Sequence, residues 1–273
     1  MNFRDFLDFN KICDAHIHLP NLSERGVEFI KSENYFCISC SHSKEEFLLQ
    51  DEFYQGGLSN QGGCGATPRP AVLHILSSFG AHPQNPTREN LLYLESLLEK
   101  NKIDCIGECG FDFFTPEFKS NAVFQEEAFI MQIELAAKYN RPVIIHSRKS
   151  IDRIFYHSKA LSKPPVVLFH SFSGTYKDAL SLLNHGINAV FSFSQQIIKG
   201  ATKAIECVKL LPIERILLET DAPYQTLKGE SATNPELIYQ VYKTAFAFRS
   251  GLDFTAFCEC LYSNYLQFAQ GRL

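Results

Sequence analysis

The sequence predicts an α/β fold, a (β/α)8 TIM barrel built as a single domain from residues 1–273, on three observations. Eight short apolar runs end abruptly in a polar or charged residue: Ile12 to His18, Tyr35 to Ser41, Val72 to His82, Ile103 to Glu108, Pro142 to His146, Val166 to His170, Ile187 to Ser194 and Ile216 to Asp221. Unbroken apolar runs, rather than alternating ones, mark strands buried on both faces, as in a parallel sheet. Successive run ends lie 23 to 41 residues apart, which leaves room for a loop and a helix after each strand. The length of 273 residues suits one such barrel, typically about 250 residues.

The segments between the runs carry helix signals in the expected places. Ser43-x-x-Glu46 has capping-box spacing and opens a helix after the second run. A Gly-rich loop, Gln55 to Pro70, precedes the third run. Asn85-Pro86 and Asn234-Pro235 each read as a helix start, with Asn as the cap and Pro in the first helical position. Phe124, Ala128, Met131 and Leu135 recur at helical spacing and mark the apolar face of a helix that Asn140 stops. Asp253 to Gln270 predicts a closing helix. No repeat, linker or second domain is visible.

With 45% hydrophobic and 21% charged residues, the chain is neither disordered, collagenous nor a coiled coil. A net charge of -4 gives no basic field over the surface, so any nucleic-acid contact is local to a site. The N-terminus interleaves charges with aromatics and lacks a signal peptide's apolar core. No apolar stretch approaches the roughly 18 residues of a membrane span. Nine cysteines without a secretion signal predict reduced thiols and a cytoplasmic protein. Cys37 and Cys40 form a C-x2-C, but residues three apart on a strand point to opposite faces, which predicts structural thiols rather than a zinc knuckle.

The chemistry is positional. His16, His18, Glu108, His146, His170 and Asp221 all fall at the ends of apolar runs, which converge on one mouth in a barrel. His16 and His18, two apart on a strand, share a face and can serve one ion. Four imidazoles and two carboxylates suit Zn, Mn or Mg, and Glu108, near the middle of the cycle, can bridge two divalent ions. His82 either polarises a phosphoryl oxygen or caps the turn before Pro83. Arg148 either clamps an anionic oxygen or makes a structural ion pair. Ser171 to Gly174 reads as a phosphate contact or an ordinary turn, and Asp112 as a residue that fixes a neighbouring ligand or caps its loop. His74, His157 and His185 are expected to be structural or surface residues, and His42 faces the mouth as a lesser candidate.

Six ordered blocks resemble the TatD family of metal-dependent deoxyribonucleases, a branch of the amidohydrolase-like barrels. They are Asp14 to Leu19 (DAHIHL), Gly80 to Pro83 (GAHP), Gly107 to Asp112 (GECGFD), Pro142 to Arg148 (PVIIHSR), His170 to Gly174 (HSFSG) and Leu217 to Pro223 (LLETDAP). Gln125, Phe129 and Gln132 also match. The resemblance implies that His16, His18, Glu108 and Asp221 hold one metal, while Glu108, His146 and His170 hold the other. It further implies hydrolysis of nucleic-acid phosphodiesters, often from the 3′ end of single-stranded DNA, and a role in DNA repair or turnover. No membrane and no obligate protein partner are implied. Departures are Pro20 and Asn21 where an acidic residue is usual, a short segment before the second strand, Phe191 to Ser194 where a glycine is common, and the absence of an arginine before Asn234.

The expected reaction is in-line attack on phosphorus by a water that two divalent ions activate, with Asp221 helping to accept its proton and Arg148 and His82 stabilising oxyanion charge. The rivals are a metal-dependent hydrolase of another ester or an amide, such as a D-aminoacyl-tRNA deacylase, and a non-catalytic scaffold. A scaffold would be expected to have lost a ligand residue, and none is missing.

Overall fold

The computed structural model describes residues 3–22, 32–58 and 74–273. Eight strands follow one another around a single sheet in chain order: β1 (Ile12–Ile17), β2 (Tyr35–Ser41), β3 (Ile75–Phe79), β4 (Cys105–Asp112), β5 (Val143–Arg148), β6 (Val167–Phe169), β7 (Ala189–Phe193) and β8 (Ile216–Leu218). Every neighbouring pair from β1 to β8 is parallel. Each of the eight apolar runs therefore supplies one strand.

Just beyond the strand ends, β8 meets β1 through backbone and side chain together. Asp221 N donates to His16 O (2.9 Å) and His18 N to Ala222 O (2.8 Å). The buried Asp14 carboxylate accepts from Thr220 N (2.9 Å), Thr220 Oγ1 (2.6 Å) and the Tyr35 hydroxyl (3.1 Å). These bonds satisfy groups that an open edge would leave unpaired.

Helices fill the connections: α1 (Phe3–Phe9) precedes β1, and α2 (Lys44–Leu58), α3 (Arg88–Glu99), α4 (Pro116–Ser120), α5 (Ala122–Tyr139), α6 (Ile151–Tyr156), α7 (Ser158–Leu161), α8 (Tyr176–Asn184), α9 (Thr202–Leu210), α10 (Ile238–Ala247) and α11 (Phe254–Ala269) follow. No described helix is long and apolar enough to cross a membrane. The cap signals mostly locate them correctly. Ser43 Oγ accepts from Glu46 N (3.2 Å), although the Glu46 carboxylate reaches the amide of His42 rather than that of Ser43. Asn140 ends α5 in the left-handed conformation, and Asp253 caps α11. Asn234 caps the short 3-10 turn Pro235–Leu237 that leads into α10.

Two expectations are corrected. Asn85-Pro86 does not start α3; Asn85 N closes a turn onto His82 O (2.9 Å), and Thr87 is the cap, accepting from Asn90 N (3.2 Å). On α5, Ala128 and Leu135 are buried as expected, but Phe124 and Met131 face outward, 63% and 47% exposed, and Gln125, Phe129, Gln132, Ile133 and Ala136 are buried in their place. The glutamines are drawn inside by backbone groups at strand ends. Gln132 pairs with both Ala81 N (2.8 Å) and Ala81 O (3.2 Å), and Gln125 Oε1 accepts from Asp112 N (2.9 Å). Unpaired backbone groups there would cost more than burying an amide that satisfies them. Of the Gly-rich stretch Gln55 to Pro70, α2 takes residues up to Leu58, and 59–70 lie outside the described residues.

The core has two principal layers. One cluster draws a residue from every strand, among them Ala15, Ile38, Leu76, Cys105, Ile144, Leu168, Val190 and Leu217, and fills the barrel interior, with Tyr265 and Phe268 of α11 packed against it. The larger cluster lies between strands and helices. Cys37 belongs to the outer cluster and Cys40 to the inner, as strand alternation predicts, and none of the eight cysteines among the described residues forms a disulfide.

Candidate metal centre

The C-terminal ends of five strands bring together His16 and His18 (β1 and the residue after it), Glu108 (β4), His146 (β5), and His170 and Asp221 (just past β6 and β8), all buried. Two irregularities aim them. The β1–β2 register shifts between Asp14 and Ile17, and the β4–β5 register between Ile106 and Cys109. A bulge adds a residue to one strand and re-aims its side chains. It lets adjacent Ala15 and His16 serve the inner core and the mouth in turn, and it places Glu108 at the mouth. Gly107 and Gly110 have positive φ (141° and 138°), and a Cβ on either would run into the carbonyl oxygens of Ile144 and His146. Close approach of β4 to β5 therefore requires glycine at both positions.

Glu108 divides the cluster into two halves. Its Oε1 lies 3.4 Å from both His16 Nε2 and His18 Nε2, which are 3.2 Å from each other and 3.5 and 3.3 Å from Asp221 Oδ1. Its Oε2 lies 3.2 Å from His146 Nδ1 and 2.8 Å from His170 Nε2, which are 3.1 Å apart. Ligands about 2.0–2.1 Å from a tetrahedral ion are separated by about 3.3–3.4 Å. The donor spacing of the first half thus suits one small divalent ion, and all six residues offer the nitrogen and oxygen donors such ions take. Among the described residues, ligand atoms lie close enough to hold a metal in four groups: His16, His18 and Asp221; His16, Glu108 and His170; His18, His42 and Glu108; and His82, Glu108 and His146.

Neighbouring hydrogen bonds set which nitrogen faces the cluster. Asp112 Oδ2 accepts from His146 Nε2 (3.1 Å), leaving the His146 Nδ1 lone pair for the centre, the carboxylate–histidine arrangement that orients metal ligands. Gln84 N donates to His82 Nδ1 (3.2 Å), so neutral His82 carries its proton on Nε2, the nitrogen 3.6 Å from Glu108 Oε2. That tautomer is a hydrogen-bond donor into the site and not a ligand through Nε2. Burial lowers the His82 pKa to about 4, which keeps it neutral. Burial pushes Glu108 and Asp221 upward, but the surrounding imidazoles outweigh it: His16 and His170 hold Glu108 well below the carboxylate range, and the His18 hydrogen bond and His16 lower Asp221. Burial likewise opposes protonation of His170, yet Glu108 and Glu219 raise its pKa well above 6.5. The carboxylates therefore stay ionised and attract positive charge, which a divalent cation supplies more fully than one imidazolium.

Around this centre, several expectations resolve. Arg148 is half-exposed, stacks on the Phe114 ring (4.1 Å to its centroid) and lies 3.5 Å from Asp112 Oδ2. His42 reaches the site's edge, 5.5 Å between ring centroids from His18, with its Nδ1 2.9 Å from Glu46. The three histidines set aside lie elsewhere: His157 pairs with Glu126 (2.8 Å), His185 bonds Ser181 O (2.7 Å), and His74 stacks on Phe36. Ser171 to Gly174 offers no open helix N-terminus, because α8 is capped by Thr175 and Asp178 in a capping box, and Ser171 Oγ donates to Glu219. Sequence reasoning passed over Gln84, Phe114, Glu219, Tyr224 and Gln225. Only Glu219 carried a signal, lying within the LLETDAP block and two residues from Asp221.

A parallel eight-stranded barrel with a buried histidine–carboxylate cluster at the C-terminal ends of its strands defines the metal-dependent hydrolase class of barrels. Residues 13–270 match the family model described as TatD related DNase, and the chain belongs to that family. The 3′-5′ ssDNA/RNA exonuclease TatD of Escherichia coli K12 is 32% identical over 156 residues, 54% of this chain and 58% of that protein. The chain thus spans less than two thirds of the length of that exonuclease. An uncharacterized metal-dependent hydrolase of Buchnera aphidicola is 30% identical over 226 residues, 78% of each chain. The crystal structure of a TatD homologue from Escherichia coli K12 shares the fold with a TM-score of 0.79 at 22% identity, covering 95% of this chain and 98% of that one. A TatD family hydrolase from Entamoeba histolytica does so at 0.73 and 21%, with 95% and 98% covered.

Proposed function

We propose that the whole chain acts as one hydrolase domain that binds two divalent ions and removes nucleotides from the 3′ end of single-stranded DNA. The observation that carries this reading is the Glu108 carboxylate, whose Oε1 faces His16 and His18 and whose Oε2 faces His146 and His170. His16, His18, Glu108 and Asp221 would hold one ion, and Glu108, His146 and His170 the other. When bound, such a pair lowers the pKa of water and neutralises charge on a phosphoryl group. The exonuclease names of the relatives support a nucleic-acid substrate.

The chain's own side chains supply the rest. Asp221, ionised and at the mouth, is placed to take a proton through its carboxylate. His82 presents an Nε2–H to a phosphoryl oxygen without carrying a charge that would compete with the ions. Phe114, 49% exposed, stands beside Arg148 and Lys149 (4.1 and 4.5 Å from its ring centroid), the pairing of an aromatic face with cations that unpaired bases and their phosphates use. The net charge of -4 includes the carboxylates of the centre, which bound ions offset locally.

The test is a nuclease assay on chelator-stripped protein with Zn, Mn or Mg restored singly, using 3′- and 5′-labelled single strands beside an RNA and an aminoacyl ester. Metal-dependent loss of the 3′ label is expected. Turnover of the aminoacyl ester alone would replace this reading with that of a deacylase, and full activity in the stripped protein would end it.

A further inference from the structure

We propose that Gln225 is a positioning residue for Asp221, backed by Ser171 and Glu219; this rests on the reading of the centre given above. Gln225 Nε2 donates to Asp221 Oδ2 (2.7 Å) and to Ser171 Oγ, and its Oε1 accepts from Ser194 Oγ (2.8 Å). Ser171 Oγ in turn donates to Glu219 Oε1, an atom 3.7 Å from His170 Nδ1. The hydrogen bonds therefore run from Asp221 through Gln225 and Ser171 to Glu219, which stands behind His170 without bonding to it. An amide nitrogen can only donate, so Asp221 Oδ2 is committed as an acceptor and Oδ1 is left turned to His16 and His18.

The backbone marks the same residues. Ser171, Asp221 and Gln225 have φ of 43°, 55° and 54°, in the left-handed region that residues with a Cβ disfavour. Such outliers cluster where surrounding structure holds side chains in functional positions. The loop has an anchor apart from the Gln225 side chain, because the Gln225 carbonyl accepts from Gln195 Nε2 (2.5 Å) and Lys199 Nζ (3.1 Å). Removing the amide should therefore disturb Asp221 while leaving the backbone anchored.

The experiment uses Gln225→Leu and Gln225→Met, which keep apolar volume and remove the donor, on the full chain. Zn2+ affinity is measured by competition with a chromogenic chelator, kcat and KM on a labelled single-stranded oligonucleotide, and the melting midpoint on metal-free protein. Groups that orient ligands from behind are worth about 10- to 100-fold in affinity or activity. The expected result is a loss of Zn2+ affinity in that range in both variants, a matching fall in kcat with KM within about threefold, and a metal-free melting midpoint close to the parent's. Unchanged Zn2+ affinity in either folded variant overturns the proposal. A fall in melting midpoint with affinity retained would do the same, by assigning Gln225 to the fold alone. Because metal affinity is read without substrate, failure of the parent to cut DNA would reject the nuclease reading and leave this inference standing.

Discussion

Glu108→Gln keeps the shape of the central side chain but leaves one oxygen where there were two, and removes one negative charge. Either the half built on His16 and His18, 3.4 Å away, or the half built on His146 and His170, at 3.2 and 2.8 Å, then meets an amide N–H2 that cannot ligate. The bound metal should fall from two equivalents to one. At an effective dielectric near 20, one unit charge about 4 Å from another is worth roughly 4 kcal/mol. A loss of that size in stabilising the transition state is about a thousandfold in rate. Metal content after dialysis, by mass spectrometry, and single-turnover cleavage of a labelled single strand measure the two effects. A Glu108→Gln protein that keeps two equivalents of metal and cleaves within tenfold of the parent would refute the bridging role. Glu108→Ala, which leaves no oxygen to either half, is expected to abolish hydrolysis and metal loading together.

Three further outcomes are expected. His157→Ala breaks the contact with Glu126, remote from the centre, and should leave metal content and turnover near the parent's, as mass spectrometry and the same cleavage assay would show. Phe114→Ala should raise KM for single-stranded DNA about tenfold, in keeping with roughly 1–3 kcal/mol per stacked base, while kcat on a small aryl phosphodiester that has no base to stack stays unchanged. Glu46 is held at about 2, because the hydrogen bonds and charge of His42 and the amide of Asn21 outweigh the upward push of burial. A carboxylate depressed in the folded state stabilises above its unfolded value, about 4.5, and loses that contribution as pH falls through about 2. The urea midpoint of Glu46→Gln should therefore lie below the parent's at pH 6 and approach it near pH 3.

The parts of the site legible in the sequence are those whose chemistry and position coincide. Apolar runs ending in His16, His18, Glu108, His146, His170 and Asp221 reveal both a strand and its functional end, since a barrel places all such ends at one mouth. The residues around them were not legible. Asp112 stood in a motif but could not be assigned to His146, because the pairing joins β4 to β5. Arg148 offers two readings in the sequence, which does not show that Asp112 and Phe114 lie within its reach. Gln225 gave no signal, as an isolated polar residue in a loop looks like any solvated one until Asp221 and Ser171 are placed beside it.

The helices follow the same division. Asn140 and Asp253 mark ends correctly because caps are local interactions among residues a few positions apart. The buried face of α5 was misread from Phe124 and Met131 because Gln125 and Gln132 answer backbone groups at Asp112 and Ala81, which only the folded chain brings near. The barrel, its strands and the six candidate ligands are readable along the chain, since burial on both faces and ligand chemistry are written residue by residue. The tertiary structure decided which nitrogen of His82 and His146 faces the centre, how bulges aim His16 and Glu108, and which polar residues hold Asp221. Those depend on hydrogen bonds between residues far apart in the chain, and no local pattern encodes them.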